Sequence, residues 1–250
     1  MFYGESWKME PRWSKTQALI LAGGLGTRLR TIVKDKPKPM VRIAGKPFLA
    51  YQLEFLRSFR VTSLILCVGH LHEHVQAYFG DGDDWGVKIQ YSVEDRLLGT
   101  AGALKNAEKF VEGTFLALNG DSFFDLDLAK FIQFHENRGG LGTIALKELS
   151  DASCYGSVRL NAENMILSFE EKSEKLTALA QINAGIYILE PTIFDFIPRA
   201  RKTSLERETF PSILEKGHRL FGYPTDAFFV DVGTPEGLHM FRNYIEGARG

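Results

Sequence analysis

Cysteine is scarce in this chain: Cys67 and Cys154 stand far apart among 250 residues. That excludes a disulfide framework and makes a reduced, cytoplasmic compartment the expectation. Long apolar runs are missing too. No stretch approaches the roughly 20 residues that a bilayer-spanning helix needs. Residues 1–16 mix Glu5, Lys8, Glu10 and Arg12 with aromatics, unlike the apolar segment of a signal peptide. Nor does one sign of charge dominate. Lys and Arg number 30 against 31 Asp and Glu, a formal net charge of -1. No global basic field is present to recruit nucleic acid or an anionic membrane, so neither is expected as a partner. Phosphate chemistry must then rest on local cations. Internal repeats, low-complexity tracts and obvious linkers are also absent.

What remains is an ordinary globular composition, 44% hydrophobic and 24% charged. Its length suits one large domain, residues 17–250, after an N-terminal extension of residues 1–16 that is expected to be disordered or unusual. Strand-like runs alternate with helical patterns, which predicts an α/β fold with a mostly parallel sheet covered by helices. Strands are predicted at 18–21, 64–68, 87–91 and 115–118. Helices are predicted at 47–57, with Pro47 at the start, and at 72–78, 101–110 and 127–136, the last capped by Asp127. After Gly139-Gly140 the runs at 142–147, 157–160, 166–169 and 184–189 look antiparallel or mixed. A last strand at 228–232 and a helix at 235–246 complete the pattern.

The first strand runs directly into Leu21-Ala22-Gly23-Gly24-Leu25-Gly26-Thr27-Arg28-Leu29. Glycines let backbone N–H groups approach a phosphate, and a following helix N-terminus adds favourable partial charge. The spacing is neither that of a dinucleotide fingerprint nor that of a P-loop. By itself such a run often makes only a tight corner. Thr27-Arg28 and the following Lys36-Pro37-Lys38-Pro39-Met40 supply cations that suit a polyphosphate, although a solvated charge run is the plain alternative for the lysines. Asp121 follows the fourth strand and Asp231 ends the last one. Carboxyl ends of strands are where open α/β sheets bind ligands, and two carboxylates beside a phosphate loop fit Mg²⁺ shared with substrate phosphates. Either Asp alone could be a turn or cap residue. The histidines of His70-Leu71-His72-Glu73-His74 lack the spacing of a zinc motif, and Asp81 to Asp84 lacks that of an EF-hand.

Leu21-Ala22-Gly23-Gly24-x-Gly26-Thr27-Arg28-Leu29, then Lys38-Pro39-Met40 and Gly45-Lys46-Pro47, resembles the signature of the sugar-1-phosphate nucleotidyltransferases, and the likeness extends over nearly the whole chain after residue 16. The resemblance implies a single-domain, Rossmann-like, doubly wound fold and two substrates, a nucleoside triphosphate and a sugar 1-phosphate. It implies that Leu21, Ala22, Gly23, Gly24, Gly26 and Thr27 hold the triphosphate, that Arg28 steadies the leaving pyrophosphate and that Lys38 contacts phosphates in the transition state. Mg²⁺ would fall to Asp121 and Asp231, with Asp121 also catalytic. The base would lie near Glu94, Gly99 and Thr100. Gly120, Tyr155, Gly156, Glu171, Lys172 and Asn183 would face the sugar phosphate. For Glu170 to Lys175 a solvated turn is the plain alternative.

Glu94, Leu98-Gly99-Thr100-Ala101-Gly102-Ala103, Ser204-Leu205-Glu206 before Phe210-Pro211, and Asp231-Val232-Gly233-Thr234-Pro235-Glu236 are similar to the D-glycero-D-manno-heptose 1-phosphate guanylyltransferases. The departure is Ala101, where glycine is common in that group and alanine is common in mannose 1-phosphate guanylyltransferases. Uridylyltransferases acting on glucose or muramic-acid phosphates share the loop and the metal motifs. No hexapeptide repeat follows Asp231, so a left-handed β-helical second domain is not expected. Two other classes stay open: a catalytically silent nucleotide-sugar sensor, which would be expected to have lost Arg28, Lys38 or a metal Asp, and a Rossmann oxidoreductase, which the glycine spacing disfavours. Monomer and homo-oligomer are both compatible with the sequence.

Overall fold

A computed structural model describes residues 12–24, 37–150, 156–170 and 179–248. Its strands in chain order are β1 (Gln17–Leu21), β2 (Arg42–Ile43), β3 (Lys46–Pro47), β4 (Ser63–Val68), β5 (Lys88–Val93), β6 (Phe115–Asn119), β7 (Ser122–Phe124), β8 (Gly142–Leu149), β9 (Ser157–Leu160), β10 (Ile166–Glu170), β11 (Ala180–Leu189), β12 (Leu220–Pro224) and β13 (Phe229–Asp231). The α-helices are α1 (Phe48–Ser58), α2 (His72–Phe79), α3 (Gly99–Ala107), α4 (Leu128–Arg138), α5 (Phe210–Glu215) and α6 (Pro235–Gly247).

Period-two side-chain alternation explains how continuous apolar strands become the middle layer. Ala18 and Ile20 of β1 join Leu64, Leu66 and Leu118 on one face of the sheet. Phe48 of α1, Val75 of α2, Phe131 of α4 and Phe241 of α6 cover that face. Leu19, Ile65, Cys67 and Ala117 enter the opposite core, under Leu104 of α3 and Phe210 and Ile213 of α5. Cys67 is a buried thiol inside this layer, and burial pushes its pKa up; Cys154 lies outside the described residues.

Nine strands form the main sheet among the described residues. Its parallel centre runs β5-β4-β1-β6, with Leu21 of β1 level with both Cys67 and Asn119. The chain moves outward from β1 through β4 to β5, then returns to β6 on the other side. That reversal leaves a crevice at the carboxyl ends of β1 and β6. Beyond β6 the sheet turns antiparallel, as the second-half pattern predicts: β11 pairs with β6 and β8. The register of β11 against β8 shifts between Asn183 and Tyr187, a bulge that lets β11 serve two partners.

Several boundaries differ from the sequence expectation. α3 begins at Gly99 and gives way to a 3₁₀ turn at Glu108–Phe110, and β11 begins at Ala180. Asp127 caps α4 as predicted, its carboxylate accepting from Lys130 N–H at 3.1 Å. β7 and β12 have no counterpart in the pattern; one spans three residues, and the other carries Gly222 and Pro224. A π-helical turn at Leu205–Thr209 leads into α5 and is likewise unanticipated. Ahead of β1, Arg12–Lys15 forms a 3₁₀ turn with Trp13 against the core. No helix among the described residues is long and apolar enough to cross a membrane.

Candidate active site

The crevice is an open cleft of about 360 Å³. Leu21, Ala22, Gly23 and Gly24 leave β1 along its floor; Asn119, Gly120 and Asp121 leave β6 beside them. Lys38 and Pro39 close one side, Glu94, Leu97, Gly99, Thr100 and Ala103 another, and Lys202 stands at the rim.

Backbone must approach backbone closely where the two strands end. Gly120 N–H donates to the Leu21 carbonyl at 3.0 Å, and a Cβ on Gly120 would stand 2.6 Å from that same oxygen. A Cβ on Gly23 would stand 2.7 Å from Oε1 of Glu94. At Gly120 the obstacle is backbone, so a side chain is excluded there; at Gly23 it is the end of the Glu94 side chain, which would have to shift.

Besides Lys202 at the rim, three charged groups give the cleft its polarity. Lys38 follows Pro37 in a 3₁₀ turn that buries Pro39 and Met40, which draws its ammonium inward. Its Nζ donates to Asp121 Oδ2 at 2.6 Å. Beside Gly23, Glu94 is buried at the end of β5, with Oε2 accepting from Leu98 N–H at 2.9 Å. Burial raises the Glu94 pKa, and the Leu98 hydrogen bond opposes that rise.

Asp231 does not line the cleft but is held next to it. β13 runs antiparallel to β7 with Asp231 opposite Ser122, and Val232 N–H donates to the Asp121 carbonyl at 2.9 Å. Oδ1 of Asp231 accepts from Gly233 N–H at 2.7 Å, and Thr234 then caps α6. The backbones of the two aspartates, 110 positions apart, so come together where β7 begins and β13 ends, Asp121 immediately preceding β7 and Asp231 closing β13. Among the described residues no group of three or more His, Cys, Asp or Glu forms a metal cluster.

Behind the floor a polar chain crosses the second core. Tyr187 is fully buried; its hydroxyl donates to Glu206 Oε1 at 3.0 Å and accepts from Asn183 Nδ2 at 3.0 Å. Asn183 Oδ1 accepts from Gly185 N–H at 2.9 Å, so both ends of its amide are held. Glu206 Oε2 accepts from Thr100 Oγ1 at 3.0 Å and Ser204 Oγ at 2.7 Å, and Thr100 Oγ1 accepts from Leu205 N–H at 2.8 Å. Burial and the Glu206 charge raise the phenol pKa well above its ordinary value, so it stays protonated. Thr100 thus meets the cleft with its hydroxyl already engaged.

The structure gathers Leu21, Ala22, Gly23, Gly24, Lys38, Glu94, Gly99, Thr100, Gly120 and Asp121 from the sequence expectation around one cleft. Asn183 lies on β11 in the chain just described, and Gly156 precedes β9. Gly26, Thr27, Arg28, Tyr155, Glu171 and Lys172 lie outside the described residues. Sequence reasoning missed Lys202, whose neighbours Arg199 and Arg201 make it read as a solvated basic run. It also missed Gln52 of α1, buried at 2% exposure, whose Nε2 donates to the carbonyls of Asn119 and Ser122 at 2.8 and 3.0 Å.

Residues 17–247 match the nucleotidyl transferase family. The chain is 41% identical over 225 residues to D-glycero-alpha-D-manno-heptose 1-phosphate guanylyltransferase of Campylobacter jejuni, covering 90% of this chain and 98% of that protein. It is 37% identical over 232 residues to a UTP–glucose-1-phosphate uridylyltransferase of Synechocystis, covering 87% of this chain and 60% of the relative. Among solved structures, HddC from Yersinia pseudotuberculosis complexed with GMP-PN superposes with a TM-score of 0.80 at 32% identity, over 92% of this chain and 99% of that one.

Proposed function

The chain belongs to the nucleotidyl transferase family, and from that premise we propose that it joins GTP to D-glycero-α-D-manno-heptose 1-phosphate, forming a nucleotide sugar and releasing pyrophosphate. The observation that carries this reading is one cleft that brings together glycine backbone, the Lys38–Asp121 ion pair and the buried carboxylate of Glu94. The end-to-end match with the Campylobacter heptose enzyme supports the sugar, since the uridylyltransferase is matched over only 60% of its length.

In the transfer, an oxygen of the sugar phosphate forms a bond to the α-phosphorus of GTP. The bond from that phosphorus to the bridging oxygen breaks, and its electron pair leaves with pyrophosphate. No base is needed, because the nucleophile is already anionic near neutral pH. The protein's work is positioning and charge neutralisation. Gly23, Gly24, Gly26 and Thr27 line the triphosphate, and Lys38 and Arg28 meet the charge that builds on it. Gly120, Tyr155, Gly156, Glu171, Lys172 and Asn183 face the sugar phosphate. Two carboxylates are too few to bind a cation tightly alone, but they suit Mg²⁺, which takes few protein ligands and completes its shell with water and phosphates. Asp121 and Asp231 would hold it, and when bound it would supply Lewis-acid neutralisation of the phosphates.

Glu94 supports guanine as the base. An ionised carboxylate only accepts hydrogen bonds, and the Watson–Crick edge of guanine offers adjacent N1–H and N2–H donors. Uracil sets an acceptor on each side of its single N–H, so one would face the carboxylate. The test is pyrophosphate release across a matrix of GTP, UTP, ATP, CTP and dTTP against heptose, mannose, glucose and amino-sugar 1-phosphates, with Mg²⁺. GTP with the heptose phosphate is expected to give the highest kcat/KM. UTP with a hexose phosphate in first place would overturn base and sugar while leaving the class; silence in every cell would favour a sensor.

A further inference from the structure

Gln52 lies on the core face of α1 among Phe48, Leu49, Leu53, Phe55 and Leu56, all buried. A primary amide in that setting is costly unless its hydrogen bonds are made. Its Nε2 makes two, to the carbonyl of Asn119 at 2.8 Å and to that of Ser122 at 3.0 Å. Its Oε1 is buried with no partner among the described residues. The side chain is therefore half satisfied, and the half that is satisfied grips two carbonyls bracketing Gly120-Asp121.

Asp121 lies between those two grips. Gly120 N–H is tied to β1 through Leu21, and the Asp121 carbonyl is tied to β13 through Val232. Gln52 adds the third side, from the helix beneath. One nitrogen carrying two hydrogens can serve both carbonyls; a Glu would bring lone pairs against them, and an apolar residue would bring nothing.

We propose that Gln52 is a positioning residue for nucleotidyl transfer: it clamps the Asn119–Ser122 turn so that the Asp121 carboxylate is held at one setting in the cleft. The inference rests on the proposed use of Asp121 at the cation and triphosphate site. The unsatisfied Oε1 is the cost of that grip. Replacing Gln52 by Met removes the donors to both carbonyls but also the buried unpaired oxygen, so part of the cost in stability is offset.

The test uses the full chain carrying Gln52→Met or Gln52→Asn. Hydrogen exchange needs no substrate, and in Gln52→Met the amides of 120–122 are expected to exchange about tenfold faster while those of β4 do not change. The melting temperature stays within about 3 °C of wild type. Turnover falls about 10–100-fold and the Mg²⁺ concentration for half-maximal rate rises, while the KM for sugar phosphate moves little. Gln52→Asn keeps the amide but withdraws it by one methylene, and is expected to lose turnover as Met does. A role in packing alone would instead rank the variants by volume, with Met mild and Asn severe. Unaltered exchange at 120–122 and unaltered kcat in Gln52→Met would overturn the clamp and leave the enzyme reading standing. A wild-type chain that transfers no nucleotide would overturn the catalytic use, even if exchange showed the turn to be held.

Discussion

The ammonium of Lys38 lies 2.6 Å from Oδ2 of Asp121, with the lysine side chain 9% exposed and the aspartate 38%. The lysine is the buried partner, so whatever draws Asp121 away must offer it another acceptor. A cation arriving alone at Asp121 would strand that ammonium; a cation arriving with a triphosphate would not. Metal and nucleotide are therefore expected to bind with positive linkage. Lys38→Met should let Mn²⁺ alone bind about tenfold tighter, because a repelling charge is gone from the site. The same variant should lose about 10³-fold in kcat. A paramagnetic titration and steady-state kinetics check the pair of effects, and unchanged Mn²⁺ affinity would detach Lys38 from the cation site.

Glu94→Gln is expected to trade function for stability. Burial raises the folded-state pKa of Glu94. The stability tied to its proton is present at low pH and lost as pH rises through that raised value. Glutamine does not ionise, so the variant should melt about 2–4 °C higher than wild type at pH 7–8 and converge with it in acid. Its preference for GTP over UTP, as a ratio of kcat/KM, should fall about 10–100-fold, because a charge-assisted acceptor has become a mixed donor and acceptor. In the wild type, GTP use should weaken as pH drops through the raised pKa. A variant with unchanged base preference would place the base elsewhere.

Tyr187→Phe removes one oxygen and leaves Asn183 Nδ2 and Glu206 Oε1 each short of a partner. A destabilisation of about 1–3 kcal/mol is expected by urea unfolding. Thr100 and Ser204 still hold Glu206, so the nucleotide wall should stand. The expected kinetic mark is a higher KM for the sugar phosphate, through the loosened Asn183, with the KM for GTP little changed. An equal rise in both would show that the chain behind the floor does not separate the two halves.

Gly120→Ala tests the junction of β1 and β6. The new methyl carbon would stand 2.6 Å from the Leu21 carbonyl oxygen and 3.0 Å from the Ala22 Cα. Both obstacles are backbone, which cannot swing aside. Overpacking of this kind costs about 1–3 kcal/mol or more, and chemical denaturation should read it. Gly24→Ala meets nothing within 4 Å and should leave stability nearly unchanged.

The legible part of this protein is local or bounded by strong punctuation. Residues 18–21, 64–68 and 115–118 read as buried parallel strands because apolar residues continue on both faces. Asp127 reads as a cap because a short acidic side chain before an apolar-periodic run can accept from the first turn. Lys38, Glu94 and Asp121, which line the cleft, stand in motifs that a reading of the sequence singles out. Gln52 does not, because a glutamine in a helix is ordinarily a solvated residue, and only the approach of the β6–β7 turn makes it a clamp. Glu206 stands out in sequence only as part of Ser204-Leu205-Glu206, and its bonds to Thr100 and Tyr187 span 106 and 19 positions. No periodicity encodes such a contact.

Strand and helix order, the glycine corner after β1, and the residue types available for phosphate and cation follow from the sequence by itself, since they depend on side-chain period, backbone freedom and charge. Tertiary structure decided which of those residues meet. Asp121 and Asp231 become neighbours only because β7 and β13 pair. Lys38 becomes a buried ion-pair partner only because its 3₁₀ turn packs Pro39 and Met40 inward. Glu94 faces Gly23 only because β5, β4 and β1 end level with one another. Each is a long-range contact whose stability comes from burial shared by distant segments, and that burial exists only once the sheet has formed.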